Sequence, residues 1–402
     1  MNTGRAITTS LIICGAVLFY TASALATVTV DRDYRLGDDG AEGAVNGGAV
    51  STTFDSAGNP GVGELVDLTA VNTPTYVAIS GRPDGVGGRG IQFAAAQQEY
   101  LHGFNLGTPS DSFSAASHTT LTGGTLNYAG LVNRGFQFWV QPSSTAVQSI
   151  VMDTNQHGVR INSNGKFSMR YANLDFESTV SVVPGTWYHV EVVRPLGAAN
   201  GSRMYINGNA VAAAPGGYNN DWADLVVGAN TAGDDGGTHA SIPSPVGFTG
   251  GTSEFFSGTV DDLKMFVIGS STGTVVNYGT FNLKTDNQFI ASTITGLKGV
   301  AGDVNNNGVL DAPDKTAFIA GWLDKRIVNG IQLGDLTSYG QGDLNLDGIT
   351  DIQDLLVMQT ALSGSGIGTI TAADLGGVPE PATISLLLLS LLALPRRFQR
   401  RA

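Results

Sequence analysis

The sequence predicts a mainly β protein, with a β-sandwich of the jelly-roll type over residues 27–270 and a small helical module over residues 301–364. Three observations support this fold class. Short runs that alternate polar and apolar residues fill the first of these ranges, with turn residues between them and no long stretch of helical period. Glycine contributes 55 of 402 residues, about twice its usual share. Two helix-forming stretches follow only after residue 310, each directly behind an Asp/Asn/Gly-rich loop.

The clearest predicted strands lie between residues 135 and 268. The stretch GFQFWVQP places Phe136, Phe138 and Val140 on one face and Gln137, Trp139 and Gln141 on the other. Asn-Gly pairs at 164–165 and 207–208 each separate two alternating runs, which predicts tight hairpins. GTWYHVEVVR and FFSGTVDDLKMFVI supply further strands. Many short strands with frequent turn signals are typical of a sandwich or jelly roll.

The order of these segments resembles the laminin G-like, concanavalin A-like jelly roll. FQFWVQP, GTWYHVEVVR, MYINGNAV and FSGTVDDLKMF follow one another as in that family, over residues 135–266. The positions that match are Trp187, His189, Val190, Tyr205, Asn207, Gly208, Gly258, Asp261 and Asp262. Residues 27–134 are expected to supply the earlier strands. The resemblance implies a fold rather than one function, because such domains bind sugars or proteins or space other modules.

The charge and the cysteine content exclude several kinds of chemistry. The formal net charge is −13 and the pI is about 4.6. An acidic chain does not attract phosphate backbones, so we expect no nucleic-acid partner. The only cysteine, Cys14, lies in the expected leader, which leaves the mature chain without a disulfide or a thiolate nucleophile.

Both ends of the sequence are expected to be sorting signals. Residues 1–26 combine an arginine, an apolar stretch and an Ala-Leu-Ala site, which predicts a secretory signal peptide. Near the other end, Pro379, Glu380 and Pro381 precede an apolar run of thirteen residues and four arginines. Thirteen helical residues reach about 20 Å, short of a hydrocarbon core of roughly 30 Å. We therefore expect the C-terminal segment to anchor the protein in the inner membrane only transiently.

This C-terminal segment, residues 378–402, resembles the PEP-CTERM sorting signal of Gram-negative bacteria in all three of its parts. The resemblance implies cleavage by an exosortase-type membrane protease and an association with bacteria that build exopolysaccharide and biofilm matrix. The expected location is the cell surface, the outer envelope or the extracellular matrix. Two further segments complete the predicted organisation: connecting strands over 271–300 and a flexible spacer over 365–377.

Two segments forty residues apart, GDVNNNGVLDAPD and GDLNLDGITDIQD, have the ligand spacing of a calcium loop. Such a loop supplies oxygens from positions 1, 3, 5, 7, 9 and 12, with glycine at position 6 for the bend. Hard oxygen ligands at every position predict two calcium ions and disfavour zinc. The first set is Asp303, Asn305, Asn307, the carbonyl of Val309, Asp311 and Asp314. The second set is Asp343, Asn345, Asp347, the carbonyl of Ile349, Asp351 and Asp354.

A helix is predicted after each loop and none before it. The stretches that precede the loops, ITGLKGVAG and LTSYGQG, are rich in Gly, Ser and Thr. The predicted apolar stripes are Phe318, Ile319, Trp322 and Leu323 in the first helix, and Ile352, Leu355, Leu356 and Leu362 in the second. Pro313 lies near the first turn of the first helix, and Gly364 is the expected cap of the second.

A loop followed by a helix, repeated once, resembles the dockerin type I repeat over residues 302–362, and the loops of that family also end in aspartate. The resemblance implies calcium binding. Two departures argue against a cohesin partner: the docking positions are Ala312-Pro313 and Ile352-Gln353, and an extra segment, RIVNGIQLGDLTSYGQ, separates the repeats. Three carboxylates in the first loop against four in the second predict tighter binding at the second.

The expected function is that of an exported surface or matrix protein that binds glycan or protein through its jelly roll, without catalysis. The E-x-D-x-x-E motif of concanavalin A-like glycosidases is absent, since no two of the seven glutamates lie within five residues. We interpret His189, Trp139 and Trp187 as packing residues. Two alternatives stay open: a glycoside hydrolase or lyase with a carboxylate pair from distant strands, and a docking scaffold. No ligand-binding residue of the jelly roll is predicted.

Overall fold

The computed structural model describes residues 27–38, 40–56, 68–103, 133–153, 158–171, 174–194, 202–214, 225–231, 252–269 and 297–376. The predicted signal peptide, the predicted sorting signal and the connecting segment 271–296 lie outside the described residues. Within the described ranges, no helix has the length and apolar character needed to cross a membrane.

Short strands make up the N-terminal part of the fold, as the alternating pattern predicts. In chain order they are β1 (Thr27–Tyr34), β2 (Thr52–Thr53), β3 (Leu68–Val71), β4 (Thr75–Ile79), β5 (Gly88–Phe93), β6 (Tyr100–Gly103), β7 (Asn133–Pro142), β8 (Gln148–Asp153), β9 (Gly158–Ile161), β10 (Lys166–Tyr171), β11 (Leu174–Ser181), β12 (Tyr188–Arg194), β13 (Ser202–Ile206), β14 (Asn209–Ala214), β15 (Leu225–Val227), β16 (Asn230–Thr231), β17 (Thr252–Ser253) and β18 (Gly258–Gly269). Single-turn 3-10 helices lie at Gly40–Glu42 and Ala95–Gln97.

Sixteen of these strands form two antiparallel sheets, and β16 pairs with β17 in a small third one. Sheet A has the order β4–β5–β18–β7–β12–β13–β14, and β1 also pairs with β18. Sheet B has the order β2–β3–β6–β15–β8–β9–β10–β11. Strands from the first 103 residues therefore lie in both sheets, as expected for the N-terminal segment. The mainly β, two-sheet sandwich predicted from the sequence is confirmed.

One hydrophobic core fills the space between the two sheets. Phe136, Phe138 and Val140 of β7 point into it, and Val190 and Val192 of the neighbouring β12 do the same. Successive strand residues face opposite sides of a sheet, so this arrangement matches the predicted alternation. Burying one such side chain contributes about 1.5–3 kcal/mol, which makes the core the main source of stability.

Both predicted Asn-Gly hairpins are confirmed. β9 pairs with β10 around Asn164-Gly165, and β13 pairs with β14 around Asn207-Gly208. In the second turn both central residues have positive φ, 50° at Asn207 and 78° at Gly208. This turn type matches the twist of the flanking strands and favours Asn-Gly, because both residues tolerate the left-handed conformation.

The C-terminal module, residues 297–376, contains two loop–helix units and an insertion between them. Its helices are α1 (Ala312–Ala320), α2 (Leu336–Tyr339) and α3 (Ile352–Leu362). The insertion, residues 326–341, carries β19 (Ile327–Val328) paired with β20 (Ile331–Gln332). A small core joins Val304, Phe318, Met358, Leu362 and Ile370, so the two units pack against each other.

The expectation that no helix precedes the second loop is wrong. α2 is a single helical turn in the stretch LTSYGQG. The Asp335 carboxylate accepts a hydrogen bond from the Ser338 amide at 2.9 Å, and the Ser338 side chain reaches back to the Asp335 amide. This reciprocal cap stabilises a turn whose composition alone does not predict a helix.

The predicted apolar stripes are only partly correct. Phe318 and Leu362 are buried, but Leu323, Ile352 and Leu356 are 49%, 58% and 49% exposed. The buried face of α3 follows Leu355, Met358 and Leu362, which are spaced by three and four residues. Ile352 and Leu356 lie on the adjacent face of the same helix, which is turned away from the small core.

Candidate functional site

The two Asp/Asn/Gly loops fold in the same way, each around its first and last aspartate. In the first loop, Asp303 accepts from the amides of Asn307 (3.0 Å) and Gly308 (2.7 Å), and Asp314 from those of Asn305 (3.0 Å) and Asp311 (2.8 Å). In the second loop, Asp343 accepts from the amides of Asp347 (3.0 Å) and Gly348 (2.8 Å), and Asp354 from those of Asn345 (3.0 Å) and Asp351 (2.8 Å). The structure therefore brings the first, third, fifth, ninth and twelfth loop positions together twice.

The donor set of these loops fits a hard cation. Their side chains supply carboxylate and amide oxygens, which Ca²⁺ prefers. The Asp311 Oδ1 atom is buried and accepts no hydrogen bond within the described part of the chain. Among the described residues, no three His, Cys, Asp or Glu side chains are placed to hold a metal ion by themselves. The predicted sets also rely on asparagine and backbone carbonyl oxygens.

The second loop is much more buried than the first. Asn345 and Asp347 are 6% and 2% exposed, whereas their counterparts in the first loop are more exposed. The difference arises because the insertion covers the second loop. The Arg326 amide donates to the Gly348 carbonyl at 2.9 Å, and the Gln332 side chain donates to the Asp347 carbonyl at 3.0 Å.

Burial changes the acidity of the second loop. Desolvation, with the charge of Asp354 as a smaller cause, raises the pKa of Asp343 to about 7. Desolvation likewise raises the pKa of Asp354 to about 6. The carboxylates of this loop are therefore held in a setting of low polarity, where their negative charge is costly without a positive partner.

The first loop has a basic neighbour instead. Lys298 is exposed, and its ammonium donates to the Asn307 carbonyl at 3.2 Å. Its backbone amide donates to the Asn306 side chain at 2.9 Å. A positive charge at this distance opposes the approach of a cation, so the two loops differ in charge as well as in burial.

The Gly-Thr-Val-Asp-Asp stretch of β18 is structural. Its two aspartates, Asp261 and Asp262, bind the guanidinium of Arg82, which also donates to Asp84 at 2.9 Å. The guanidinium lies 5.3 Å from the ring centroid of Trp139. A buried arginine thus satisfies these carboxylates from within the chain.

The interpretation of Trp139, Trp187 and His189 as packing residues is confirmed. They are 6%, 5% and 4% exposed, and the Trp187 indole donates to the Ser80 carbonyl at 3.0 Å. Burial lowers the pKa of His189 to about 4. This histidine is therefore neutral at physiological pH.

A strip of polar side chains, which the sequence analysis did not single out, lies on the outer face of sheet B. Arg160 on β9 is opposite Ser168 on β10 and Ser149 on β8. The Arg160 guanidinium lies 2.9 Å from the Glu254 carboxylate and 3.7 Å from the Asp175 carboxylate. Glu254 also accepts from the Ser149 hydroxyl at 2.8 Å. We call this set, together with Arg170, the sheet B strip.

Several donors of the sheet B strip are unsatisfied. Arg160 Nε, Ser168 Oγ and Arg170 Nε have no hydrogen-bond partner within the described part of the chain. Arg160 is 8% exposed and Ser168 is fully buried. Buried polar groups are almost always bonded, so these atoms are places where buried water would complete the network.

The strip has an aromatic flank and an acidic one. On β6, the Tyr100 ring lies 6.3 Å from Phe255 and 5.9 Å from His102, measured between ring centroids. At the opposite side, Glu177 on β11 accepts from Lys166 at 2.7 Å, and this bond with two asparagine donors lowers the pKa of Glu177 to about 2. The guanidinium donors of the strip therefore lie between the Tyr100 ring on one side and the Glu177 carboxylate on the other.

The two carboxylates of the strip come from distant segments of the chain. Glu254 and Asp175 both turn onto the guanidinium of Arg160, at 2.9 Å and 3.7 Å.

The only local signal for the strip was the alternation within GVRI and KFSMRY. It places Arg160, Ser168 and Arg170 on the face opposite to the core residues of their strands. Glu254 comes from a segment about ninety residues later in the chain, so no spacing in the sequence joins it to Arg160.

Two antiparallel sheets packed around one core, with β7, β12 and β18 adjacent, define a concanavalin A-like sandwich domain. Residues 114–272 match the Laminin_G_3 family model, described as the concanavalin A-like lectin/glucanases superfamily. The resemblance to this jelly roll is thereby confirmed for that part of the chain.

Solved structures of similar shape are distant in sequence. Domain 4 of AbnA, an extracellular arabinanase of Geobacillus stearothermophilus in complex with arabinotriose, is 14% identical; the match covers 62% of this chain and 96% of that one, with a TM-score of 0.34. The SAP-like pentraxin of Limulus polyphemus is 16% identical over 34% of this chain and 64% of that one, at a TM-score of 0.25. Trypanosoma rangeli sialidase is 12% identical over 56% and 29%, at a TM-score of 0.32. No curated protein matches the sequence.

Proposed function

We propose that the protein is exported and binds glycan at the sheet B strip, while two calcium ions in its loops stabilise the C-terminal module. The observation that carries the glycan part is the Arg160 guanidinium, which holds the partly exposed carboxylates of Glu254 and Asp175 on the outer face of sheet B.

Sugar chemistry matches the composition of the strip. A sugar ring presents hydroxyls, which donate and accept hydrogen bonds, and apolar C–H faces. The strip presents guanidinium donors at Arg160 and Arg170, carboxylate acceptors at Glu254 and Asp175, and the Tyr100 ring on a strand of the same sheet. A few convergent polar groups beside an aromatic surface are typical of small-ligand sites.

The calcium part of the proposal is supported by the repeated geometry of the loops. Asp303, Asp314, Asp343 and Asp354 would each contribute a carboxylate, and the loop amides already orient all four side chains. When bound, the cation would supply the positive charge that these carboxylates lack. Folding of the module would then be linked to cation binding, as for other metal-stabilised domains.

The location rests on the two terminal segments of the sequence. The proposed processing partner is an exosortase-type protease that acts at residues 378–402. The proposed ligand is an extracellular polysaccharide at the cell surface or in the matrix.

A glycan array with the purified protein tests the binding proposal, and Asp175→Asn sharpens it. Because the Asp175 carboxylate is partly exposed and lies 3.7 Å from the Arg160 guanidinium, its substitution should change the free energy of unfolding by less than about 1 kcal/mol. Glycan affinity should fall about five- to tenfold, the usual worth of one hydrogen bond.

Asp374→Asn is the matched control. The Asp374 carboxylate is about as exposed and lies 3.9 Å from the Lys315 ammonium, but it belongs to the C-terminal module. This variant should keep glycan affinity. An array without any bound glycan would contradict the proposal, and release of oligosaccharides from a bound polysaccharide would show an enzyme instead.

A further inference from the structure

The insertion contacts the sandwich along an edge of sheet A. β14 ends the strand order of that sheet, where an unprotected edge would expose unpaired backbone groups. The Asp335 carboxylate accepts from the Ala210 amide at 3.0 Å, and the Arg326 guanidinium donates to the Ala210 carbonyl at 3.1 Å. Two further bonds join the Leu336 amide to the Gly208 carbonyl (3.1 Å) and the Thr337 hydroxyl to the Asn209 side chain (2.8 Å).

Asp335 is the centre of this contact. Its carboxylate is fully buried, and it accepts from Ala210 of the sandwich, from Arg326 at 2.9 Å and from the Ser338 amide at 2.9 Å. A buried carboxylate is costly unless its oxygens are bonded. Separation of the β13–β14 hairpin from the insertion would remove the Ala210 donor. The docking of this hairpin and the position of the Asp335 carboxylate therefore depend on each other.

Ser338 connects this contact to the second calcium loop. Its hydroxyl donates to Asp343, the first ligand position, at 2.7 Å and accepts from the Asp335 amide at 2.9 Å. Asp335 and Ser338 therefore connect the β13–β14 hairpin of the sandwich to the second loop. The connection exists only while α2 is formed, because the cap of α2 places both Asp335 and Ser338.

The first loop is an internal control for this connection. The residue five positions before its first ligand is Lys298, where the second loop has Ser338. Lys298 contacts Asn306 and Asn307 of its own loop. Among the described residues, the contacts between the insertion and the sandwich are therefore connected to the second loop through Ser338, and the first loop has Lys298 at the equivalent position.

We infer that cation binding at the second loop is coupled to docking of the β13–β14 hairpin through Asp343, Ser338 and Asp335. The second loop thereby holds the sandwich and the C-terminal module together, while the first loop serves the module alone. The inference rests on the calcium part of the proposed function. Coupling is reciprocal, so docking raises cation affinity by the same factor by which the cation favours docking, typically about 5- to 150-fold.

Amide hydrogen exchange of the full chain, with and without calcium, tests the coupling. Calcium should slow exchange of the Ala210 amide about five- to a hundredfold in the unchanged protein. The same slowing is expected in Asp314→Asn, which weakens the first loop. Asp354→Asn, in the second loop, and Ser338→Ala, in the connection, should both lose it. Thr360→Ala is the control on α3 and should keep the response, because the exposed Thr360 side chain donates to the Leu356 carbonyl of its own helix and lies outside the docking contact.

Calorimetric titration of the same samples with calcium distinguishes the coupling from the calcium binding on which it rests. Calcium binding with unchanged exchange at Ala210 overturns the coupling and leaves the calcium proposal standing. An equal response in Asp314→Asn and Asp354→Asn also overturns it. Absence of calcium binding in the unchanged protein overturns the calcium proposal and the coupling with it.

Discussion

His189 packs against Trp139 on the outer face of sheet A, with their ring centroids 5.1 Å apart and both side chains buried. The register of β7 and β12 places the two residues directly opposite each other. The imidazole is therefore removed from water, and burial opposes its protonation. The contact has consequences for stability at acid pH.

The first prediction concerns that pH dependence. Burial lowers the pKa of His189 from 6.5 to about 4. Between these two pH values, the histidine is protonated in the unfolded chain and neutral in the folded chain. The contribution to stability is complete above about pH 6.5 and is lost as the pH falls toward 4. The free energy of unfolding should fall by up to about 1.4 kcal/mol per pH unit in this range.

Denaturant unfolding at several pH values checks this prediction. His189→Gln should flatten the dependence between pH 4.5 and 6.5. His102 provides a parallel case, since desolvation lowers its pKa to about 4 as well. Equal slopes for the unchanged protein and the His189 variant would show that the imidazole is protonated in the folded state.

The second prediction concerns the buried guanidinium of Arg82. Its removal in Arg82→Ala leaves Asp261, which is 1% exposed, without its cationic partner. An uncompensated buried charge costs about 3–5 kcal/mol, so thermal unfolding should shift strongly downward. Arg35→Ala removes the ion pair between an exposed arginine and Asp33 and should cost less than about 1 kcal/mol. Similar losses in both variants would contradict a special role for the buried cluster.

Much of the sandwich was predictable because its signals are local. The alternation of Phe136, Phe138 and Val140 predicted the inner face of β7, and two Asn-Gly pairs predicted two hairpins. These features depend on neighbouring residues and on the period of a strand.

The sheet B strip was not predictable, because Arg160 and Glu254 meet only through the order of the strands. The sequence contains no spacing that reports this order. The turn α2 was missed for a different reason: its cap, Asp335 with Ser338, is a local signal, but the Gly/Ser/Thr composition around it predicts a loop. The docking of Asp335 on Ala210 joins positions 125 residues apart.

The third prediction concerns the glycine at the sixth position of each loop. Gly348 has φ of 86°, and a Cβ there would lie 2.7 Å from the backbone of Leu333. Gly308 has φ of 97°, but its Cβ would meet only the flexible end of Lys298, at 3.1 Å. Gly348→Ala should therefore destabilise the module by several kcal/mol, and Gly308→Ala by about 1–2 kcal/mol.

Gly330→Ala separates backbone strain from crowding. Gly330 has φ of 80°, and a Cβ added there would meet only open space, so this variant should cost only about 1 kcal/mol. Thermal unfolding of the three variants gives the comparison. Equal losses at Gly348 and Gly330 would mean that the insertion does not pack against the second loop as described.

The fourth prediction concerns the order in which the two loops bind calcium. The second loop has four carboxylates in a buried setting, whereas the first has three and lies beside the Lys298 ammonium. Calorimetric titration should show two sites, with Asp354→Asn removing the tighter one and Asp314→Asn the weaker one.

Lys298→Ala should raise calcium affinity at the first loop about fivefold at low ionic strength, since removal of a nearby charge is worth about 1 kcal/mol. High salt should reduce that gain because the lysine is exposed. Lys166→Ala, a lysine of the sandwich, should leave both affinities unchanged. A tighter first loop in the unchanged protein would show that exposure and flexibility outweigh charge in these two sites.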